Sequence, residues 1–280
     1  VDIRQDDSAD LPFYVRDIRE PSLGELMQEH RIEQVVHLAA VLEDSGDRER
    51  DYDIDVNGTR NVLDACVACG VRQLVVTSSG AAYGYHADTP QWISEDDPLR
   101  GNPEFAYSDH KRQVEALLAD YRQRHPHLGQ LVLRPGTVLG ANTRNLITNL
   151  FDGKRLLAVA GSPSPFVFIW DQDVLAIIEK GVTEERSGCF NLAGDGALTI
   201  TQLAAILRKP VVTVPAWAIR AGLAVGHALR LTGYTPAQVN FLRYRPVLGN
   251  DKLKQEFGYQ PKKTSEQTFR FWLASREATA

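Results

Sequence analysis

Cysteine is scarce in this sequence, with only three among 280 residues. Cys66, Cys69 and Cys189 are too few and too unevenly spaced for a disulfide framework, which indicates a reducing, cytoplasmic compartment. Cys66 and Cys69 form a CxxC pair, but the surrounding "RNVLDACVACGVRQL" is typical of a helix end, and no second Cys or His pair follows at metal-ligand spacing. We therefore expect buried helix residues here and no metal site.

Long uncharged hydrophobic runs and clusters of basic residues are also missing. The most apolar long segment, residues 211–233, contains Pro215, Arg220, His227 and Arg230, which a membrane-spanning helix rarely tolerates, so we predict an amphipathic helix with a wide apolar face. Lysine and arginine are scattered, and the formal net charge is -5, which gives no electrostatic footprint for nucleic acid or an anionic membrane. We accordingly expect a small-molecule substrate as partner, with no nucleic acid and no membrane.

Short apolar runs alternate with helical patterns in the first half of the chain. The runs "QVVHLAA", "QLVVTSS" and "QLVLRPG" are apolar on both faces, as strands buried between two helix layers are. Helical patterns lie between them, the longest being "DYDIDVNGTRNVLDACVACG" and "AYSDHKRQVEALLADYRQRH". This alternation predicts an α/β fold with a doubly wound, Rossmann-like parallel sheet.

From about Thr143 the alternation gives way to mixed elements. "FVFIWDQDVLAIIEKGV" predicts a strand running into a helix, "CFNLAG" a strand, and "TITQLAAIL", "KLKQEFGYQP" and "TSEQTFRFWLAS" helices. We divide the chain into a dinucleotide-binding domain over residues 1–142 and a smaller, mixed α/β, mainly substrate-binding region over residues 143–280. Some segments of the second region are expected to return to the main sheet.

The first residues, "VDIR", have the pattern of a strand end with an acidic residue. In a dinucleotide-binding fold, an acid after the second strand hydrogen-bonds the adenosine ribose and disfavours a 2′-phosphate, so Asp2 predicts NAD in preference to NADP. The glycine-rich loop of such a fold lies about 20 residues upstream of that acid, on a strand central to the sheet. We therefore expect this first strand and loop to lie outside the sequence shown; otherwise Asp2 is a surface residue at a chain start.

Three signals follow one another further along the chain: "LVVTSSGAAYG", "AYSDHK" and "LRPGTVLG". Together with "VVHLAA", "DVNGTRNVLDAC" and "NDKLKQEFGYQP", they resemble the extended short-chain dehydrogenase/reductase family, the group of NAD-dependent epimerases and dehydratases, over nearly the whole chain. YxxxK alone is a weak signal, but in this order it is specific. The resemblance implies an NAD-dependent enzyme that oxidises or epimerises a secondary alcohol or ketone.

By this resemblance the catalytic residues are Ser79, Tyr107 and Lys111. Tyr107 would be the general acid/base that takes the hydroxyl proton as hydride leaves. Because a tyrosine ordinarily has a pKa of about 10, a cation must stabilise its phenolate, and Lys111 lies one helical turn further on the same face. Ser79 would hydrogen-bond the substrate oxygen. The plainer interpretation is that Tyr107 and Lys111 are solvated helix residues and that the serines only end a strand.

The resemblance also assigns the remaining contacts. Those to the cofactor are Asp2, Asp17, Ile18, Ala39, Ala40, Asn57, Ser78, Tyr107, Lys111, Pro135 and Thr137. Those to the substrate are Ser79, Gly80, Ala81, Thr137 and Phe166. Family members often dimerise through a four-helix bundle, here residues 57–69 and 108–121 of each copy. A homodimer is one expectation for these apolar stripes, and burial within a single chain explains them equally well.

Departures from the family pattern bear on the substrate. Gly80 and Ala81 stand where the dehydratases carry an Asp-Glu pair, which disfavours dehydration. Phe166 stands where nucleotide-sugar members often carry an arginine that binds a diphosphate, while the acidic residue of the family is kept as Asp173. Thr137 stands where such members carry an asparagine near the substrate phosphates. The pattern favours a less charged substrate.

Three functions stay open on this basis. The first is an NAD-dependent oxidoreductase or epimerase acting on a secondary alcohol or ketone of a sugar or related polar molecule. The second is a dehydrogenase or reductase of a more apolar hydroxy or keto compound, lined by Phe166, Trp170 and residues 211–233. The third is a non-catalytic NAD(P)-binding structural or regulatory protein, which the intact Ser79, Tyr107 and Lys111 disfavour.

Overall fold

The computed structural model describes residues 1–5, 11–42, 45–229, 231 and 235–278, so part of the predicted 211–233 helix lies outside the described residues. The strands are β1 (Gln34–His37), β2 (Gln73–Thr77), β3 (Gly129–Pro135), β4 (Thr137–Leu139), β5 (Leu156–Val159), β6 (Phe168–Trp170), β7 (Gly188–Leu192) and β8 (Val211–Val214). The helices are α1 (Ser22–Glu29), α2 (Arg48–Tyr52), α3 (Gly58–Ala68), α4 (Ala106–Arg124), α5 (Leu146–Asn149), α6 (Asp171–Thr183), α7 (Ile200–Leu207), α8 (Ala216–Ala228), α9 (Val239–Arg243), α10 (Asp251–Gln255) and α11 (Ser265–Glu277).

A four-stranded parallel sheet in the order β1-β2-β3-β7 forms the centre of the molecule. The β-branched and aliphatic side chains of β2 and β3 are buried, because helices cover both faces of these central strands. Strand β7 comes from the second half of the chain and pairs with β3, so that half contributes to the same sheet. The predicted Rossmann-like parallel sheet is confirmed.

Strand β1 is the exception to the predicted burial. It pairs with β2 alone among the described residues, and Val36 is 40% exposed. The expectation that this strand is buried on both faces is therefore wrong, because none of the described residues covers the face on which Val36 lies well enough to bury it. Asp2 lies in extended chain and forms a parallel bridge with Val15, with the Arg16 amide donating to the Asp2 carbonyl at 3.0 Å.

The long helical pattern after β1 forms one helical run with a wider turn in its middle. Helix α2 passes through a π-helical turn, Asp53–Asn57, into α3. Such turns disturb the regular pattern of backbone hydrogen bonds and occur often at functional sites.

Cys66 lies in α3 and Cys69 at its end, both as free thiols, and burial raises the pKa of Cys66 to about 12. The prediction of a helix end at the CxxC pair is confirmed.

The apolar segment over residues 211–233 differs from its prediction. Its β-branched beginning forms strand β8, paired with β5, and helix α8 starts only after Pro215. No residue of α8 is buried, although the helix is almost entirely apolar. Within the described ranges, no helix has both the length and the apolar character needed to cross a membrane.

Candidate active site

The ends of β2 and α4 meet in one place. Strand β2 ends at Thr77, and the chain then forms a 3-10 turn, Gly80–Tyr83, against which the first turn of α4 packs. The Ser108 hydroxyl donates to the carbonyl of Ala81 at 2.7 Å. Because Ser108 follows Tyr107 directly and Ala81 lies two residues after Ser79, this bond fixes the two predicted catalytic segments against each other.

Lys111 lies on the same side of α4 as Tyr107. Its Nζ is 5.8 Å from the centroid of the Tyr107 ring, and it donates to the Thr77 carbonyl at 3.1 Å. The side chain is buried, so its charge acts in a medium less polar than water. An ammonium has three N–H donors, and the bond to Thr77 uses one of them. The spacing of YxxxK therefore places a buried cation beside the tyrosine and at the strand end.

The two serines after β2 have different surroundings. Ser79 is half-buried, and its Oγ accepts the Ala81 amide at 3.1 Å, which leaves its own O–H free to donate. Ser78 is buried, and its Oγ has no hydrogen-bond partner among the described residues. A buried hydroxyl without a partner is costly, so this atom fits a site that a polar ligand completes.

Gly80 and Ala81, predicted substrate contacts, lie buried in the 3-10 turn. A Cβ on Gly80 would come within 2.9 Å of a methyl carbon of Leu248. A larger side chain at position 80 therefore requires Leu248 to move. This crowding agrees with the sequence argument that the acidic pair of the dehydratases has no counterpart here.

The turn at residues 135–137 closes the neighbouring strand. Strand β3 ends at Pro135, the Gly136 amide donates to the Leu192 carbonyl at 2.9 Å, and Thr137 opens β4. A Cβ on Gly136 would lie 2.9 Å from a methyl carbon of Val167. Because β3 is adjacent to β2, Pro135 and Thr137 lie at the same edge of the sheet as Ser78 and Ser79.

Asp17, one of the two residues predicted beside the adenine, lies in a group of ion pairs. Arg19 donates to both oxygens of Asp17 and also to Asp53, and its guanidinium holds the pKa of Asp17 below its usual range. Asn57 donates to Asp53 at 2.9 Å. Ile18 packs against the core that α1, α3 and α4 share.

Asp2, Ala39 and Ala40 lie nearer the surface. Asp2 is exposed and accepts the amide of Arg4 at 3.0 Å. Ala39 is exposed and Ala40 half-buried, in the loop that follows β1. The cofactor contacts assigned to these three residues stay predictions.

A buried polar network beneath the site was missed by the sequence reasoning. Arg134 of β3 binds the carboxylate of Glu115 of α4 with two bonds, at 2.8 and 3.0 Å, and donates to the Tyr83 hydroxyl at 2.8 Å. Tyr83 in turn donates to Asn191 of β7 at 2.8 Å. The available signals were an arginine within the apolar run "LVLRPG" and a glutamate one helical turn after Lys111.

Phe166 is 2% exposed and lies in a hydrophobic core with Phe151, Phe168, Phe269 and Trp272. The guanidinium carbon of Arg245 is 3.9 Å from the centroid of its ring, and Arg245 Nη1 donates to Ser164 Oγ at 3.0 Å. Burial lowers the pKa of Arg245 to about 10. Arg245, far along the chain, thus places a guanidinium against Phe166, and the substrate contact assigned to Phe166 stays a prediction.

Three aromatic rings continue from Tyr107. Phe105 lies 6.3 Å from the Tyr107 ring, and Tyr85 and Phe241 lie 5.7 and 5.6 Å from Phe105, measured between centroids. Tyr85 and Phe241 are 5.1 Å apart, which completes a compact group. We call Tyr85, Phe105 and Phe241 the aromatic wall.

His37 and His110 are buried, and each contacts a polar side chain. His37 Nε2 is 3.0 Å from Thr59 Oγ1, and burial, together with the charge of Lys111, lowers the pKa of His37 to about 4. His110 Nδ1 is 3.1 Å from a carboxylate oxygen of Asp55, in the π-helical turn. Over the part of the chain that the structure describes, no three His, Cys, Asp or Glu side chains could hold a metal ion.

A separate cleft of about 580 Å³ lies between α7 and α11. Its lining includes Phe151, Arg208, Lys209 and Trp272, and none of the predicted site residues. It is therefore distinct from the place where Ser79, Tyr107 and Lys111 meet.

Residues 3–160, more than half of the chain, match the model of the NAD dependent epimerase/dehydratase family. This chain belongs to that family. It is thus an NAD-dependent enzyme of this family, and its cofactor is NAD. The buried, unpartnered Ser78 hydroxyl and the buried ammonium of Lys111 fit the polar nicotinamide ribose that such a cofactor brings.

The chain also has relatives in sequence and neighbours among solved structures. The chain is 24% identical over 270 residues to an uncharacterized protein of Mycobacterium tuberculosis, covering 95% of this chain and 72% of that protein. It is 32% identical over 142 residues to a UDP-glucose 4-epimerase of Neisseria meningitidis serogroup A, covering 49% of this chain and 41% of that protein. It is 25% identical over 263 residues to a 3beta-hydroxysteroid-dehydrogenase/decarboxylase of Arabidopsis thaliana, covering 82% and 58%.

Among solved structures, the Bordetella bronchiseptica enzyme WbmG in complex with NAD and UDP has a TM-score of 0.74 to this chain at 22% identity. The match covers 98% of this chain and 81% of that one. At this level of identity the likeness shows the shared fold.

Proposed function

We propose that this enzyme oxidises, reduces or epimerises a secondary alcohol or ketone of a sugar or related polar molecule, with Tyr107 as general acid/base. The observation that carries the proposal is the junction at the end of β2. There the Ser108–Ala81 and Lys111–Thr77 hydrogen bonds hold the segments of Ser79, Tyr107 and Lys111 together.

Each side chain has a defined task in this chemistry. NAD, when bound, would supply the acceptor and donor for a hydride at the carbinol carbon. Tyr107 removes the hydroxyl proton in the oxidative direction and restores it in the reverse direction. Lys111 stabilises the phenolate through its buried charge, and Ser79 donates its O–H to the substrate oxygen. Ser78 and Lys111 would hold the nicotinamide half of the cofactor.

A second candidate substrate is a more apolar hydroxy or keto compound. The aromatic wall favours it, because Tyr85, Phe105 and Phe241 present ring surface next to Tyr107. One relative of this chain is named a hydroxysteroid dehydrogenase/decarboxylase. Arg245 favours a charged polar substrate instead, since its guanidinium could meet a phosphate.

Replacement of Tyr107 by Phe tests the acid/base role. We expect Tyr107→Phe to lower kcat by about 10²–10⁴-fold, the usual contribution of a positioned acid or base, while NAD binding and the unfolding midpoint stay near wild type. Tyr121→Phe is the matched control, since it also removes a phenol hydroxyl from α4, where Tyr121 donates to Asp64. Wild-type turnover by Tyr107→Phe would show that the assignment is wrong.

A substrate panel separates the two candidates. UDP- and GDP-sugars, free sugars and apolar hydroxy or keto compounds are incubated with the enzyme and NAD, and both the absorbance of reduced cofactor and the products are measured. Product analysis is needed because an epimerase that recycles its hydride gives no net absorbance change. Turnover of the sugars alone supports the polar candidate, and turnover of the apolar compounds alone supports the other.

A further inference from the structure

Two buried carboxylates of the helical run from α2 to α3 hold the chain that follows β1. Asp55 Oδ1 accepts the Val41 amide at 2.8 Å. Asp51, one turn earlier, accepts the amide and the hydroxyl of Ser45 at 3.0 and 2.6 Å. We call residues 38–42 the β1 loop; it contains the two alanines that are predicted to contact the cofactor. The bond to Asp55 therefore fixes this loop directly after those alanines.

The second oxygen of Asp55 faces helix α4. His110 Nδ1 lies 3.1 Å from Asp55 Oδ2, and both side chains are 2% exposed. Helix α4 packs against the π-helical turn that carries Asp55. His110 directly precedes Lys111, so a single carboxylate connects the β1 loop to the helix that carries the predicted catalytic pair.

The two contacts together fix the orientation of the Asp55 carboxylate. The last side-chain torsion of an aspartate has only a broad preference, so a carboxylate that is held at one oxygen can still rotate. A buried carboxylate also needs hydrogen-bond donors to offset its lost hydration. His110 meets both requirements, and the bond from Asp55 to Val41 therefore depends on a residue of α4.

The backbone of Asp55 has a connection to the end of β1 as well. The Thr59 hydroxyl donates to the Asp55 carbonyl at 2.6 Å and lies 3.0 Å from His37 Nε2. Because this hydroxyl donates to the carbonyl, it accepts the N–H of His37. His37 is the last residue of β1, so side chain and backbone of Asp55 are tied to the strand end and to the loop after it.

The other nitrogen of His110 argues against a role in packing alone. His110 Nε2 is buried and has no hydrogen-bond partner among the described residues. A buried polar atom without a partner is unfavourable, and an apolar side chain would fill the same space without that cost. The bond from Nδ1 to Asp55 is what a histidine adds at this position.

We propose that Asp55 and His110 are positioning residues that join the β1 loop to α4 and thereby hold the loop ready for NAD. The inference rests on the proposed function, because it takes α4 as the helix of the acid/base pair. A loop that is already fixed loses less conformational freedom when the cofactor binds, so the affinity for NAD is higher. Neither residue is required to touch the reacting atoms.

Titration of the full-length protein with NAD tests the role of His110. His110→Leu removes the donor to Asp55, whereas His110→Asn keeps a side-chain nitrogen at about the position of Nδ1. We expect the Kd for NAD to rise about tenfold in His110→Leu, as for a loop in its binding arrangement about a tenth of the time, and to stay near wild type in His110→Asn. Because Tyr107 and Lys111 remain, kcat at saturating NAD should change much less than the Kd.

Leu118→Ala is the control for a general loosening of α4. Leu118 is fully buried on the same helix and packs in the core of the first half. Its truncation should lower the unfolding midpoint and leave the Kd for NAD near wild type. A wild-type Kd in His110→Leu would overturn the proposal. Equal increases of the Kd in His110→Leu and Leu118→Ala, or in His110→Leu and His110→Asn, would overturn it too.

A double variant tests whether His110 acts through Asp55. Asp55→Ala combined with His110→Leu should have the same Kd for NAD as Asp55→Ala alone, and multiplied effects would refute the connection. Tyr107→Phe is expected to keep NAD binding. An error in the acid/base assignment would therefore appear in the turnover of Tyr107→Phe, and an error in this inference would appear in the Kd of the His110 variants.

Discussion

At the scale of single residues, the site combines a buried cation with a buried histidine that resists protonation. Lys111 brings its charge to the end of β2, and His37 lies at the end of the adjacent strand β1. Burial, and then the charge of Lys111, lowers the pKa of His37 to about 4, while the carboxylate of Asp55 acts in the opposite direction. The folded protein therefore favours neutral His37 at neutral pH.

This shift predicts a loss of stability in mild acid. In the unfolded chain His37 takes up a proton near its ordinary pKa of about 6.5, whereas the folded chain resists protonation until about pH 4. The free energy of unfolding is therefore unaffected by His37 above pH 6.5 and falls as the pH is lowered towards 4. At pH 5 the loss of stability amounts to about 2 kcal/mol.

Urea unfolding of wild type and His37→Gln at pH 7.5 and pH 5 measures this effect. The variant keeps a side chain that can hydrogen-bond Thr59 but cannot titrate. We expect its free energy of unfolding to fall by about 2 kcal/mol less than that of wild type between the two pH values. An identical pH dependence of the two proteins would contradict the assignment.

At the scale of elements, α4 is the helix that organises the site. Tyr107, Lys111 and Glu115 follow one another at intervals of one turn, so the predicted catalytic pair and its anchor share a face. The buried bond between Glu115 and Arg134 fixes the helix against β3, and Tyr83 extends this anchor to the turn that follows Ser79. The network therefore connects the three segments that carry the predicted nicotinamide contacts.

Removal of one partner of this network should lower the free energy of unfolding. Glu115→Gln leaves the buried guanidinium of Arg134 without its counter-charge, and we expect a loss of about 3–5 kcal/mol in the free energy of unfolding. Asp120→Asn is the matched control on the same helix, because its ion pair with Arg124 is half exposed. Exposed pairs contribute little, so this variant should unfold near the wild-type midpoint. Equal effects of the two changes in chemical denaturation would refute the role assigned to Glu115.

At the scale of the whole molecule, the two halves of the chain share one framework. Strand β7 of the second half completes the main sheet beside β3, and α10 packs on β7. Asp173 of α6 is fully buried and accepts the Tyr259 hydroxyl at 2.8 Å and the Lys262 amide at 3.0 Å. These contacts join α6 to the segment between α10 and α11, while α11 itself packs through Phe269 and Trp272 in the hydrophobic core that contains Phe166.

We therefore expect the chain to unfold in a single cooperative transition. Far-UV ellipticity reports on both halves, whereas tryptophan fluorescence is weighted towards the second half through Trp170, Trp217 and Trp272. The two signals should give coincident midpoints in guanidinium chloride. Clearly separated midpoints would show that residues 143–280 are an independent unit.

Several features were predictable from sequence because they depend on local patterns. Helix α7 begins where Thr199 and Gln202 form a capping box, a signal that lies within four residues. The pairing of Tyr107 with Lys111 follows from helical periodicity, and the alternation of apolar runs with helices predicts the parallel sheet. The exposure of Val36 in β1 was not predictable in this way, because burial of a strand face depends on which elements cover it.

The sequence by itself indicated the parallel sheet, the family and the expectation that Ser79, Tyr107 and Lys111 belong together. Tertiary structure alone decided that Arg245 covers Phe166, that Arg134 anchors Glu115, and that α8 leaves its apolar residues unburied. The physical reason is distance along the chain. Local periodicity specifies which residues share a face, but only packing between segments far apart in sequence decides what that face meets.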